Sequence, residues 1–267
     1  MGVTLGRTAY SPNIKERLDY SCAVFDKHGQ MIAQAAHIPV HLGSMSSSIE
    51  QAIKNQHCFD GDIIILNDPY LGGTHLPDIT LVAPIYINNS LEGFIANRGH
   101  HADIGGMTPG SLPLSTDVHQ EGLIIPPLKL ARGSRINQEI IQLICRNSRT
   151  PEERKGDLEA QIASMRVGEE RLQELANKYG ISEIQEHMAG LLDYSERVTR
   201  QAITTIPDGS YSVIDYMDDD GLTDSPVPIQ VTITVAGDEM DIDFTGTSPQ
   251  RPGCINCLLY TSDAADE

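Results

Sequence analysis

The sequence predicts an α+β protein: mixed sheets with β-hairpins and a central antiparallel helical pair. Three observations point there. Residues 79–87 and 91–96 are apolar runs joined by Asn88-Asn89-Ser90, a tight hairpin turn. Residues 157–203 carry apolar side chains at helical spacing on either side of Gly180. Of the 267 residues 40% are apolar but only 5% aromatic, with no Trp, so aliphatic side chains must fill the core.

Taken in order, Cys22-Ala23-Val24-Phe25 and Met31-Ile32-Ala33 flank a turn at 26–30 and read as a hairpin. Residues 44–54 space Met45, Ile49 and Ile53 as a helix does. Asp62-Ile63-Ile64-Ile65-Leu66 reads as a strand buried on both faces. It runs into Asn67-Asp68-Pro69-Tyr70-Leu71-Gly72-Gly73-Thr74-His75, where Pro and paired Gly forbid regular structure. Beyond the hairpin at 79–96 comes Arg98-Gly99-His100-His101-Ala102-Asp103-Ile104-Gly105-Gly106, then a loop to Pro113 and an apolar element near Ile124. Leu158, Ile162, Met165, Leu172 and Leu175 mark one helix, and Ile184, Met188, Leu191, Leu192 and Val198 a second. Pro207-Asp208-Gly209 then turns the chain into strands at 211–216, 229–235 and 240–244. The expected organisation is a sheet-rich unit at 1–130, a helical segment at 131–206 and a hairpin unit at 207–256. Residues 257–267 back-translate to a string resembling transposon-end adaptor DNA and are expected to be a non-native tail.

Composition excludes several classes. A formal net charge of −18 argues against nucleic acid, because phosphate binding needs a basic face. No run of eighteen apolar residues suggests a membrane span, and the N-terminus lacks a secretory pattern. Cys22, Cys58 and Cys145 are scattered, show no CxxC pairing and fit a reduced, cytoplasmic setting. There is no GxxxxGK[ST], GxGxxG or GxSxG, so neither a nucleotide loop nor a serine-hydrolase elbow is encoded.

Six of nine histidines lie between positions 37 and 101. A hairpin returns the chain to its starting edge, so the loop carrying His75 and the one carrying His100, His101 and Asp103 should meet at one sheet end. Imidazoles with one or two carboxylates suit Zn, Mn or Fe. Inert polar loops would look similar. His37 and His41 read equally well as buried imidazoles bonded to backbone or as site residues. Gly105-Gly106 reads either as an anion-binding nest of backbone N–H groups or as a flexible turn.

A family resemblance carries the reading further. Arg7-Thr8-Ala9-Tyr10-Ser11-Pro12-Asn13-Ile14-Lys15-Glu16-Arg17, His37-Ile38-Pro39-Val40-His41-Leu42-Gly43-Ser44-Met45 and Asn67-Asp68-Pro69-Tyr70 open the set. Gly72-Gly73-Thr74-His75-Leu76-Pro77-Asp78, His100-His101-Ala102-Asp103-Ile104-Gly105-Gly106, Arg149-Thr150-Pro151-Glu152-Glu153-Arg154 and Asp243-Phe244-Thr245-Gly246-Thr247-Ser248-Pro249 follow in the same chain. Together they resemble the hydantoinase B/5-oxoprolinase family, from about Val3 to Asn256. His119 departs from the aromatic residue usual there. Family members are about twice as long, so the chain is expected to be an N-terminal portion of a larger protein.

The resemblance implies a division of labour. A hydantoinase A-like partner subunit binds ATP and phosphorylates the carbonyl oxygen of a cyclic amide such as 5-oxoproline or a hydantoin. The B part then completes ring opening, within a hetero-oligomer. Related ketone carboxylase subunits hold a divalent metal through His and Asp. Carried over, this makes His75, His100 and Asp103 the expected ligands, with His101 and Asp78 as second candidates. His101 or His41 would serve as general base or acid. Arg98 would offset substrate phosphate or carboxylate charge, unless it only forms a surface salt bridge, and Gly105 and Gly106 would contact the substrate. The rival expectations are a ketone carboxylase subunit and a non-catalytic scaffold that docks the A subunit through 157–203.

Overall fold

A computed structural model describes residues 1–35, 37–111 and 113–256, which form two compact units. The tail expected at 257–267 lies outside the described residues. The first unit comprises Met1–Pro113 and Val118–Gln185, and the second Leu114–Asp117 and Glu186–Asn256.

The first unit opens with α1 (Gly2–Thr8) and α2 (Pro12–Lys15), then β1 (Tyr20–Asp26), β2 (Met31–Gln34), α3 (Pro39–Asn55) and β3 (Ile63–Leu66). The long hairpin β4 (Asp78–Ile87) and β5 (Ser90–His100) follows, then β6 (Leu128–Arg132), β7 (Arg135–Ile136), α4 (Gln138–Asn147) and α5 (Pro151–Tyr179). The seven strands make one sheet ordered β2-β1-β5-β4-β3-β6-β7, with every neighbouring pair antiparallel. The hairpin turns at Asn88 and Asn89 with φ of 53° and 63°, the left-handed pair that a two-residue turn demands and Asn tolerates.

Alternation along the strands gives the sheet two buried faces. On one, Phe25, Ile64, Leu66, Val82, Phe94 and Ala96 pack with Met45, Ile49 and Ala52 of α3. On the other, Ile65, Leu81, Ile85 and Ile95 pack with Ile141 and Ile144 of α4 and Leu158, Ile162 and Met165 of α5. Residues 138–179 spend their apolar stripe on the sheet and belong to its unit.

Three boundaries differ from expectation in ways that build the site. Helix α3 begins at Pro39, not 44, because proline at the first helical turn is preorganised and needs no N–H partner, which brings His41 into that turn. Strand β5 continues past 96 to His100, paired with β4 along its length. The apolar segment near Ile124 is irregular, its Ile125 N–H donating to Asn67 Oδ1, and the next strand begins at Leu128.

Helix α6 (Ile181–Ile203) follows α5 across Gly180, whose φ of 84° suits glycine, and buries no residue. The second unit continues with β8 (Gly209–Met217), β9 (Val227–Ala236) and β10 (Glu239–Asp243), an antiparallel sheet ordered β10-β9-β8. Among the described residues no helix is long and apolar enough to cross a membrane.

Candidate metal centre

Register delivers the first two groups. Asp78 pairs with His100 and Thr80 with Arg98, while Val82 and Ala96, next in the same alternation, lie in the core under α3. Asp78, Thr80, Arg98 and His100 therefore share the α3 face of the sheet. The third group, His75, rides on the loop after β3. Buried Asn67 pins that loop: its Nδ2 donates to the carbonyls of Leu76 (2.7 Å) and Leu123 (2.9 Å). Gly72 and Gly73 let it pass close to its neighbours. A Cβ at Gly72, where φ is 90°, would lie 2.7 Å from Ser48 Cα, and one at Gly73 would strike the Asn67 carbonyl oxygen.

Three donor atoms converge as a result. His75 Nε2 lies 3.1 Å from both Asp78 Oδ1 and His100 Nδ1, and His100 Nδ1 lies 3.0 Å from Asp78 Oδ1. Ligand atoms sharing one ion at bonds of about 2.1 Å are separated by roughly 3.0–3.4 Å, so two imidazoles and a carboxylate at this spacing fit a divalent cation. The Asp78 side chain is buried while that of His75 is 35% exposed, so the cluster is open on the His75 side.

The surroundings fix each group. Thr74 Oγ1 donates to Asp78 Oδ2 at 2.5 Å. Ser111 Oγ contacts His100 Nε2 at 2.9 Å, leaving Nδ1 for the cluster. His41, buried, places Nε2 at 3.3 Å from Asp78 Oδ2 and 3.7 Å from Asp19 Oδ1, and its Nδ1 lies 3.2 Å from Ser21 Oγ. Burial by itself would raise the Asp78 pKa, but the charges of His41 and His75 and hydrogen bonds from His100 and His41 hold it well below the usual carboxylate range. Burial would lower the pKa of His75, yet the charge and hydrogen bond of Asp78 win and raise it.

Not every expected residue joins this cluster. Asp103 is clamped elsewhere: it accepts from the N–H of Gly105 (3.0 Å) and of Arg149 (2.5 Å) and from Arg149 Nη1 (2.9 Å). The same turn that brings Asp103 within three residues of His100 aims it at the start of α5, and the carboxylate beside His75 and His100 is that of Asp78. His101 points away from its neighbour His100, as adjacent residues at a strand end do. It is fully buried, its Nε2 lies 2.9 Å from Gln161 Oε1, and burial, reinforced by Arg154, pushes its pKa down to about 3. His101 therefore lies outside the group formed by His75, Asp78 and His100.

Arg98 is likewise fully buried, not at the surface. At the expected nest, the Gly105 N–H donates to Asp103, and the Gly105 and Gly106 carbonyls accept from Arg149. His37 takes the structural alternative, accepting the Cys22 N–H at 3.0 Å.

Asp19, Thr74 and Ser111 were not anticipated. Asp19 sits one residue before β1 and reaches the site because β1 pairs with β5: its carbonyl accepts the His100 N–H at 3.0 Å. Strand order, which no local motif encodes, was the missing signal.

The comparisons agree with this architecture. The description of the hydantoinase B/oxoprolinase family matches residues 1–265. An uncharacterized protein of Methanocaldococcus jannaschii is 42% identical over 271 residues, covering 99% of this chain and 47% of that protein. The 5-oxoprolinase of Saccharomyces cerevisiae is 35% identical over 280 residues, covering 99% of this chain and 22% of the enzyme. The crystal structure of an ATP-dependent caprolactamase from Pseudomonas jessenii superposes with a TM-score of 0.89 at 32% identity, covering 98% of this chain and 46% of that one. An acetone carboxylase structure shares the fold, with a TM-score of 0.92 at 20% identity and 37% of its chain covered. The chain thus spans about half the length, or less, of these relatives. Fold, motif order and sequence identity agree: the chain belongs to the hydantoinase B/oxoprolinase family.

Proposed function

We propose that the chain carries the hydrolytic centre of an ATP-dependent enzyme that opens cyclic amides of the 5-oxoproline or hydantoin type. The observation that carries this reading is the convergence of His75, Asp78 and His100, with His41 and Asp19 beside them. Relatives named for hydrolysing such substrates, the 5-oxoprolinase and the caprolactamase, support the hydrolase over the carboxylase, whose likeness is one of fold.

His75 Nε2, Asp78 Oδ1 and His100 Nδ1 would hold a divalent Zn, Mn or Fe ion. Such an ion supplies Lewis acidity, able to bring the pKa of water from about 16 toward roughly 7. A lactam carbonyl resists water because attack sacrifices amide resonance, and phosphorylation of its oxygen by an ATP-binding A subunit removes that protection. Water oxygen then bonds to the activated carbon while its proton passes to His41 Nε2. His41 Nδ1 lies against Ser21 Oγ, and Asp78 and Asp19, both beside Nε2, stabilise the imidazolium formed. The C–N ring bond breaks as its nitrogen is protonated, and a second water converts the remaining acyl phosphate to carboxylate and phosphate.

The full-length protein with its ATP-binding partner tests this. ATP hydrolysis is measured with 5-oxoproline, hydantoins and ketones offered separately, with and without bicarbonate. Stimulation by cyclic amides without bicarbonate is expected; stimulation by ketones only with bicarbonate would establish the carboxylase instead. His100→Ala should abolish turnover while leaving the partner bound. Loss of partner association in that variant would favour the scaffold role.

A further inference from the structure

The groups of the candidate centre come from separate segments: His41 from the first turn of α3, His75 from the loop after β3, Asp78 from β4 and His100 from β5. Nothing in local sequence holds these four together, and one side chain touches or adjoins every one. Arg98 lies two residues before His100 on the same strand face. Its Nε donates to Thr80 Oγ1 at 2.7 Å, two residues after Asp78. Its Nη1 donates to the His41 carbonyl at 3.3 Å and to Ser44 Oγ. Its Nη2 donates to Ser48 Oγ at 2.7 Å and to the Gly72 carbonyl at 3.2 Å, three residues before His75.

We infer that Arg98 is a positioning residue that assembles the metal centre by fixing α3 and the His75 loop against the β4–β5 hairpin. The inference rests on the metal reading proposed above. It also explains a feature the fold alone does not require. Ser44 and Ser48 place a polar stripe, one turn apart, on a helix face that otherwise buries Met45, Ile49 and Ala52. Those hydroxyls form the socket: each accepts from Arg98, and Ser48 Oγ also donates to the Gly72 carbonyl. Only a planar guanidinium spreads five N–H donors widely enough to reach all these acceptors; an ammonium is a compact point charge with three. Groups that orient ligands from behind typically change metal affinity by roughly 10- to 100-fold.

The test titrates Zn2+ and Mn2+ separately, by calorimetry, into chelator-stripped full-length protein with its partner, comparing wild type, Arg98→Met, Arg98→Lys and Ser48→Ala. Ser48→Ala leaves the guanidinium and its direct bond to the Gly72 carbonyl in place and removes only the hydroxyl that bridges the two, so it serves even if Arg98→Met does not fold. Expected are metal Kd values about 10-fold or more weaker for both Arg98 variants and several-fold weaker for Ser48→Ala, the latter with thermal stability close to wild type. Activity should recover at saturating metal. Wild type that binds neither ion would overturn the metal reading itself. Wild type that binds, with folded variants that bind equally well, would overturn this inference alone, as would a raised KM at full metal occupancy.

Discussion

Asp78 faces two ways, and its two oxygens divide the site. Oδ1 meets His75 and His100, whereas Oδ2 meets Thr74 and His41. Asp78→Asn keeps the shape but removes the charge, and should weaken metal binding on the order of 100-fold or more in a direct titration. Asp103→Asn, by contrast, should leave metal content unchanged while loosening the loop that Arg149 clamps, seen as faster amide exchange at 103–106. Loss of metal in Asp103→Asn with retention in Asp78→Asn would reverse the ligand assignment.

The same residues set a pH dependence. The folded pKa of His75 is raised, so its pairing with Asp78 stabilises the metal-free protein fully below the unfolded pKa, and that contribution fades as pH rises through the folded value. Asp78, held low, stays ionised throughout this range. The proton on His75 is therefore the cation's competitor. Metal affinity should climb with pH through the His75 titration, which pairing with Asp78 moves above the ordinary imidazole range, and then level off. A flat profile between pH 5.5 and 8, measured in buffers that do not bind metal, would contradict ligation through His75.

At the scale of elements, α5 holds the hairpin from the face opposite α3. Gln161 Nε2 donates to the Ile79 carbonyl (2.9 Å) and Asn97 Oδ1 (3.0 Å), while its Oε1 meets His101. These bonds grip β4 and β5 one and three residues from Asp78 and His100. Gln161→Leu would strand buried partners, and should cost about 1–3 kcal/mol by thermal or chemical denaturation. The elements were largely legible in sequence because their signals are local: the Asn88-Asn89 turn, the aliphatic run at 63–66 and the helical spacing from 158 onward. What stayed hidden was non-local. Nothing near Asp19 announces that β1 lies beside β5, and nothing in Arg98-Gly99-His100-His101 says that the strand continues through it. With the strand included, alternation separates His100 from His101 and lifts Asp78, not Asp103, into the cluster. The spacing of His100 and Asp103 suggested convergence, but a turn stabilised by Arg149 used it for another purpose.

For the whole molecule, the acidic chain offers no nucleotide loop of its own and matches about half the length of its relatives, or less. Under the proposed function, this portion would supply the ring-opening chemistry and an ATP-binding partner the activation. One end of the described sheet brings His75, Asp78 and His100 together, with His41 and Asp19 beside them. Metal analysis of the purified full-length protein with its partner, alongside His100→Ala, tests this most directly. The account predicts about one divalent ion per chain in the active wild-type complex and near-complete loss of both ion and turnover in the variant. A wild-type complex that opens cyclic amides at full rate after rigorous chelation, with no bound ion, would contradict it.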